Sequence, residues 1–278
     1  MTQNIGKVEN TGFELTISTI NIVNKKFTWS TQINYSHNNN RITELYGNGN
    51  DIDITNGWFK GQPINVNYGY KFDGVLQMND TKGLSFQPNS LPGFVKVKNV
   101  SGNATVSSKD MTIIGQTDPK YHFGFSNSFK YKGISLSIFF QGAGGNTKLD
   151  NLQTDNTGSQ ITNNVIRRNW WTPNNPTNEH WANDYNANPL GVKVYEDASF
   201  IRLRDITLSY NIPSRILSKA SINNFRIYFT ARNIATFTKF KGIDPELDVT
   251  NATTADGKGG QWGLPLSKEY TMGVSLTF

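Results

Sequence analysis

Apolar and polar side chains alternate through the last stretch of the chain, YTMGVSLTF at residues 270–278. A period of two predicts a β-strand, because successive side chains of a strand point to opposite faces of its sheet. Six earlier segments alternate in the same way: GFELTISTINI, KFTWSTQINYSHN, YHFGFSNSFKY, GISLSIFFQG, SFIRLRDITLSYNI and NFRIYFTARNIATF. The pattern therefore predicts seven strands and an all-β, antiparallel fold.

The connections between these strands alternate between short and long. Short links lie near residues 24–26, 130–133 and 213–223, and long ones cover about 39–119, 143–198 and 236–268. Connections above about 15 residues are uncommon in compact domains, and a soluble sandwich has no reason to collect them at one end. Short periplasmic turns and long extracellular loops are typical of outer-membrane β-barrels. The spacing thus predicts part of a transmembrane barrel with three long extracellular loops.

Alternate positions of each strand form two faces, and the two faces differ as a barrel wall requires. Phe27, Trp29 and Tyr35 lie on the apolar face of their strand, where rings suit the aromatic girdles between lipid and water. The opposite face carries Thr, Ser, Asn and Gln, which suit a wet lumen. Strand edges cannot stay unpaired in hydrocarbon, and seven strands with such loops are too few to close a barrel. We therefore expect residues 1–278 to be the C-terminal piece of a larger barrel.

Composition agrees with strands that have one polar face. The 278 residues are 36% hydrophobic, 12% aromatic and 17% charged, with a mean hydropathy of −0.50. There is no cysteine, which excludes disulfides and thiolate metal sites. No signal peptide is visible after Met1, and no apolar run approaches the roughly 18 residues of a membrane helix. The net charge of +6 is scattered, so no nucleic-acid partner is predicted.

Most of the chain resembles, in collinear order, a late-barrel region of the SusC/RagA family of TonB-linked outer-membrane proteins. The resemblance is carried by NTGFELTISTINIVNKKFTWSTQINYSHNNNRI, YGYKFDGVLQ, the long block from PGFVKVKNVSGN to FFQGAGGN, WWTPNNPTN, EDASFIRLRDITLSYNIPSRIL and NFRIYFTARNIATFTKFKGIDPELD. It implies a cell outer-membrane transporter that imports oligosaccharides or peptides with a SusD-like surface lipoprotein. The TonB system would act through an N-terminal part, because plug, TonB box and signal peptide are absent from this sequence.

The resemblance also implies a role for the last strand. A terminal amphipathic strand ending in Phe looks like the signal that the barrel-assembly machinery recognises. The positions that carry it are Tyr270, Met272, Val274, Leu276 and Phe278. An ordinary closing strand, whose apolar face only meets lipid, is the alternative.

Five tryptophans fall in the predicted extracellular loops: Trp58, Trp170, Trp171, Trp181 and Trp262. An exposed indole can stack on a sugar ring, so these are candidate substrate-binding residues. Trp is equally a common anchor of protein interfaces and of loop cores. Packing within the loops or against the lipoprotein therefore remains the alternative for each of them.

Metal and catalytic signals are weak. Asn99, Ser101, Asn103 and Asp110 stand at the spacing of a calcium loop, but only one is a carboxylate, so a structural turn is expected. The three histidines lack ligand-spaced neighbours, and Asp244 and Glu246 flank Pro245, which favours a turn over an acid–base pair. We expect no metal, no cofactor and no enzymatic activity. A free-standing glycan-binding sandwich or adhesin, or a surface hydrolase, would be the alternatives to a transporter.

Overall fold

The computed structural model describes residues 6–47, 49, 51–150, 168–217, 222–247 and 266–278. Its elements in chain order are β1 (Lys7–Val23), β2 (Phe27–Glu44), β3 (Ile52–Asp53), β4 (Trp58–Phe59), β5 (Val66–Tyr70), β6 (Phe72–Val75), α1 (Thr81–Phe86), β7 (Val95–Val97), a short 3-10 helix (Ser108–Asp110), β8 (Met111–Gln116), β9 (Tyr121–Tyr131), β10 (Ile134–Gly144), β11 (Thr147–Leu149), β12 (Tyr195–Asp197), β13 (Phe200–Asn211), α2 (Ser214–Leu217), β14 (Asn224–Thr238) and β15 (Glu269–Thr277). None of the described helices is long and apolar enough to cross a membrane.

One antiparallel sheet contains all seven strands that the sequence predicts. Its order is β1-β2-β9-β10-β13-β14-β15, so each of these seven strands pairs with the next of the seven along the chain. Within the described residues the sheet is open, with β1 and β15 at its edges. The prediction of an all-β antiparallel architecture is therefore confirmed.

Local turn chemistry sets the short links. Asn24 closes the first hairpin, because its Oδ1 accepts hydrogen bonds from the backbone N–H groups of Lys26 and Phe27. Lys132 and Gly133 join β9 to β10 with φ values of 46° and 87°, as the tightest hairpin turns require. These turns hold the register that places like residues side by side.

The register separates the sheet into an apolar face and a polar face. Directly opposed residues share a face, and one row across all seven strands is wholly apolar: Ile22, Trp29, Phe129, Leu136, Leu208, Phe229 and Met272. The neighbouring row on the other face consists of hydroxyl residues from β2 to β15, although Ile20 of β1 lies opposite Ser30: Ser30, Ser128, Ser137, Thr207, Thr230 and Thr271. Many side chains of the apolar face are exposed, among them Leu15, Leu208 and Phe229. That arrangement is the one expected of strands whose outer surface meets lipid.

The hydrophobic core lies outside the large sheet. The first connection (residues 45–120) and the second connection (residues 145–199) leave the sheet at the same end and share one cluster of buried residues. That cluster comprises Val75, Leu76, Phe86, Phe94, Val95, Val97, Trp171, Trp181, Ala187, Val192 and Val194. The sequence predicts only long loops here, whereas the structure shows four two-stranded sheets packed within them. Strands of two to six residues are too short for a period of two to be recognised.

Candidate functional site

A cavity of about 640 Å³ lies between the polar face and the connections. Cavities of about 300–1,000 Å³ are the usual size of ligand sites. The floor is formed by sheet residues that share the polar face, namely His122, Gln141, Ala143 and Phe200. The walls come from all three connections: Asn56, Gly57, Trp58, Ile64, Asn65, Val66, Thr117, Asp118 and Pro119 of the first, Asn146 and Lys148 of the second, and Pro245 and Glu246 of the third (residues 239–268). The site is thus mainly built of amides and other polar groups around one indole.

Trp58 is held at the wall by a small network in the first connection. Tyr46 packs its ring against Trp58, with centroids 6.5 Å apart, and its hydroxyl donates a hydrogen bond to Asp53. Asp53 also accepts from the backbone and side chain of Asn56, at 3.0 and 2.7 Å. The hydrogen bond from Tyr46, followed by those from Asn56, lowers the pKa of Asp53 to about 2. Asp53 therefore stays ionised at neutral pH and keeps the β3–β4 hairpin, which carries Trp58, closed.

An ion-pair cluster fastens the third connection to the sheet. Arg202 of β13 is 3% exposed, and its Nη2 lies 2.7 Å from Asp244 Oδ1. Its Nε lies 2.6 Å from Glu246 Oε2, an ion pair in which the N–H is not directed at the oxygen. Asp244 also accepts from the backbone of Glu246 at 2.9 Å and of Leu266 at 3.3 Å. These carboxylates anchor a turn, as the sequence favours, and Glu246 reaches the wall of the cavity as an ion-pair partner of Arg202.

The predicted tryptophans are placed in different environments. Trp171 and Trp181 lie in the core of the connections, and Trp171 donates from Nε1 to Gln77 Oε1 at 2.8 Å. Burial favours the packing alternative for these two residues. Trp170 is half-buried beside His180 and under the Arg168 guanidinium, 5.4 Å from the ring centroid, at a separate shallow pocket. Trp262 lies outside the described residues. Trp58 alone among the four described candidates lines the large cavity.

The terminal strand has the amphipathic form that the sequence predicts. Tyr270, Met272, Val274 and Leu276 pair with Ala231, Phe229, Ile227 and Phe225 of β14, which places them on the apolar face. All four are exposed, and so is Phe278 at the end of the chain. The structure therefore presents an exposed apolar stripe, while recognition by an assembly factor stays a prediction.

Asp110 closes the segment that has calcium-loop spacing. Its Oδ1 accepts hydrogen bonds from Val100 N, Ser101 N and Ser101 Oγ at 3.0, 3.0 and 2.8 Å, and its Oδ2 accepts from Ser107 N at 2.9 Å. Burial by itself would raise the pKa of Asp110, but these donors outweigh it and the net shift is downward. The structure thus shows a turn organised by protein donors around a buried carboxylate.

Replacing Asp110 by Asn is expected to lower the local stability of this turn by about 2 kcal/mol, because hydrogen bonds to a charged acceptor contribute roughly 1.5–3 kcal/mol. The lowered pKa means that the wild-type contribution is fully present above the ordinary value of 3.8 and is lost as the pH falls through the native value. Hydrogen exchange of the Val100 and Ser101 amides measures both effects. Millimolar calcium is expected to leave this exchange unchanged, and added protection by calcium would contradict the turn assignment.

Sequence reasoning missed several residues of the site. Gln141 and Asn146 lie on strand and loop segments with no motif, and Arg202 reads as one more polar position of β13. What makes them notable is their position on the polar face or their contact with distant connections. In the sequence, only the alternating pattern indicates where Gln141 and Arg202 lie, because it places both of them on the polar face.

An open antiparallel meander with one exposed apolar face, one polar face and long connections at a single end is the architecture of an outer-membrane receptor barrel wall. No family model matches the sequence. TonB-dependent receptor P3 of Formosa agariphila is 32% identical over 294 residues, covering 99% of this chain and 29% of that receptor. TonB-dependent receptor SusC of Bacteroides thetaiotaomicron is 28% identical over 302 residues, covering 100% of this chain and 27% of SusC.

Solved structures give the same result. The RagAB peptide importer in its open-open state matches with a TM-score of 0.71 at 26% identity, over 99% of this chain and 29% of that chain. The chain is therefore SusC/RagA-like, in sequence and in fold. It spans less than a third of the length of the relatives it matches.

Proposed function

We propose that this chain is the C-terminal part of the barrel of an outer-membrane TonB-dependent transporter that takes up oligosaccharides. The apolar face would meet lipid, and the polar face would line the lumen. The three connections would form the extracellular mouth. The observation that carries the proposal is the cavity between these connections and the polar face of the sheet, because an indole and several amides line it.

The proposed transporter works with three partners. A SusD-like surface lipoprotein would cover the mouth and deliver ligand, the TonB system would act through a part of the protein outside this chain, and the barrel-assembly machinery would recognise the stripe ending in Phe278. The relatives support the second partner, since P3 and SusC are TonB-dependent receptors. Co-purification of a surface lipoprotein with the protein from outer membranes tests the first partner.

Peptides are the second candidate class of substrate, because the matching solved structures are those of a peptide transporter. A free-standing sandwich receives no support from the described residues, whose large sheet has no second sheet of comparable size facing it. An aromatic wall beside uncharged amides favours sugars, since their rings stack on indoles while amides bond their hydroxyls. The proposal therefore keeps oligosaccharides first.

Replacing Trp58 by Ala is expected to weaken oligosaccharide uptake by about 5- to 30-fold at limiting concentration. Removal of a central aromatic anchor typically costs about 1–2 kcal/mol of binding free energy. Uptake of labelled neutral oligosaccharides by cells carrying the whole receptor measures this. Trp58→Phe should retain much of the activity, because a ring remains.

The matched control is Tyr185→Ala, which removes an exposed ring of the second connection outside the cavity lining. Equal losses for the Trp58 and Tyr185 variants would show that the cavity is not the binding site. Uptake that persists without energised TonB would argue against the transporter itself. Uptake of peptides in place of sugars would move the second candidate into first place.

A further inference from the structure

One buried side-chain atom in the wall of the cavity is left without a hydrogen bond. Asn146, at the start of the second connection, is 3% exposed and lines the cavity. Its Nδ2 donates to Thr117 O at 3.2 Å, and its backbone carbonyl accepts from Ala198 N at 3.0 Å. Its Oδ1 has no hydrogen-bond partner in the part of the chain that the structure describes. The bond from Nδ2 fixes which end of the amide is the oxygen.

Two other amides of the connections, the buried Gln87 and the half-buried Asn188, are satisfied at both ends. Gln87 donates from Nε2 to Val95 O at 3.0 Å and accepts at Oε1 from Val97 N at 2.9 Å. Asn188 donates to Val192 O and accepts from Val192 N, at 2.9 and 2.8 Å. Leaving a buried acceptor unpaired costs about 1–3 kcal/mol, so such atoms are rare and call for an explanation. Asn146 thus differs from these two amides. Within the described residues His180 Nδ1 and Trp181 Nε1 of the same connection also lack a hydrogen-bond partner, but only Asn146 of the three lines the cavity.

The charged groups around the cavity, by contrast, have protein partners. Asp118 accepts from Asn65 Nδ2 at 2.8 Å, and Lys148 donates to Leu247 O at 2.9 Å. Glu246 is paired with Arg202 at 2.6 Å. A ligand carrying a strong charge would have to compete with these contacts. An uncharged ligand that donates a hydrogen bond would satisfy Asn146 Oδ1 without disturbing these contacts.

We propose that Asn146 Oδ1 is a ligand-recognition atom, which accepts a hydrogen bond from a hydroxyl group of a neutral saccharide bound in the cavity. This rests on the proposed function, and it adds the residue and the chemical character of the ligand. Trp58 forms another part of the same wall, so a sugar ring against the indole and a hydroxyl towards Asn146 is the arrangement inferred. Peptides are disfavoured, because their charged ends find only groups that already have partners.

The test is equilibrium binding to the whole receptor purified in detergent, which is independent of TonB. The probes are neutral gluco-, galacto-, manno- and xylo-oligosaccharides, with short peptides and acidic sugars as comparison. Asn146→Ala is expected to weaken binding of the saccharide probe by about 5- to 100-fold, the affinity equivalent of one buried hydrogen bond. Its thermal stability should change little, since the variant loses one hydrogen bond and one unpaired buried atom together.

Asn188→Ala is the matched control, because it removes an amide of the same connection that is paired at both ends and lies outside the cavity lining. It should lower the melting temperature and leave saccharide affinity unchanged. The proposal is overturned if Asn146→Ala binds normally, or if it mainly loses stability, which would assign Oδ1 a partner within the protein. It is also overturned if no neutral saccharide binds at millimolar concentration, or if peptides bind through Asn146.

Failure of the transport proposal would look different. Saccharide binding that depends on Asn146, in cells that do not import the saccharide, would leave the recognition site in place and remove only the transport function. Saccharide import that is insensitive to Asn146→Ala would leave the transport function in place and remove only the role of Asn146 in recognition. The two hypotheses are therefore separated by measuring binding and uptake on the same variants.

Discussion

Replacing Arg202 by Met is expected to free the third connection from the sheet and to lower its local stability by about 3–5 kcal/mol. Removing one partner of a buried ion pair leaves the other charge uncompensated, and that penalty has this size. Here Asp244, which is 7% exposed, loses its ion-pair partner, and Glu246, which is 20% exposed, keeps only a longer contact of 3.5 Å with Arg204. Hydrogen exchange over residues 239–247 in the detergent-purified protein reports this local opening directly.

Arg41→Met supplies the matched control. Arg41 also pairs with a carboxylate, Glu9, at 2.7 Å, but both side chains are about half exposed. An exposed pair of this kind contributes roughly 0–1 kcal/mol. Similar losses of stability for the Arg41 and Arg202 variants would show that burial does not determine how much the ion-pair cluster contributes. A variant in which Arg202, Asp244 and Glu246 are all replaced by neutral residues of similar size should recover much of the loss, since no buried charge is left unpaired and Arg204 is about one-third exposed.

The second large effect is expected at the apolar face. Phe125 lies at the middle of β9, opposite Ile33 and Phe140, in a row that is apolar from β1 to β14. In the proposed outer-membrane setting, Phe125→Arg places a charge in hydrocarbon, which costs about 2–4 kcal/mol near the midplane of a barrel. We expect the amount of folded protein in outer membranes to fall steeply. Heat-modifiable migration on gels and protease resistance of membranes measure it.

Ser126→Arg introduces the same side chain one residue further along, on the polar face. Ser126 lies opposite Gln32 and Phe139, where the proposed lumen provides water for the guanidinium. Assembly of this variant should remain close to that of the unmodified protein. Normal assembly of Phe125→Arg, or equal failure of both variants, would refute the assignment of the two faces.

The seven sheet strands were predictable because their cause is local and repeated. An alternation of period two over ten residues, as in Tyr121–Tyr131, specifies both a strand and the face of each residue. Turn residues such as Asn24 and Gly133 specify where the chain reverses. The resemblance to known barrels indicated the class of protein, which the alternation alone does not specify. Hairpin pairing of successive strands then follows with little further information.

The site was only partly predictable. Trp58 was a candidate among five tryptophans, yet nothing local separates it from Trp181, which is 1% exposed. Asn146 is one asparagine among many, and its significance lies in an oxygen that lacks a partner after the connections have packed. Arg202 meets Asp244 across 42 positions of the chain. Such contacts leave no periodic trace in the sequence.

By itself, the sequence determined the strands, their order, the faces they present and the end at which the long connections emerge. It did so because side-chain direction in a strand depends only on parity, and because a meander alternates its connections between two ends. The tertiary structure alone decided which connections pack together, which indoles are buried and which polar atoms remain unpaired around the cavity. Those outcomes depend on contacts between segments up to about a hundred residues apart, as between Gln77 and Trp171, and the free energy of such packing is a property of the assembled fold.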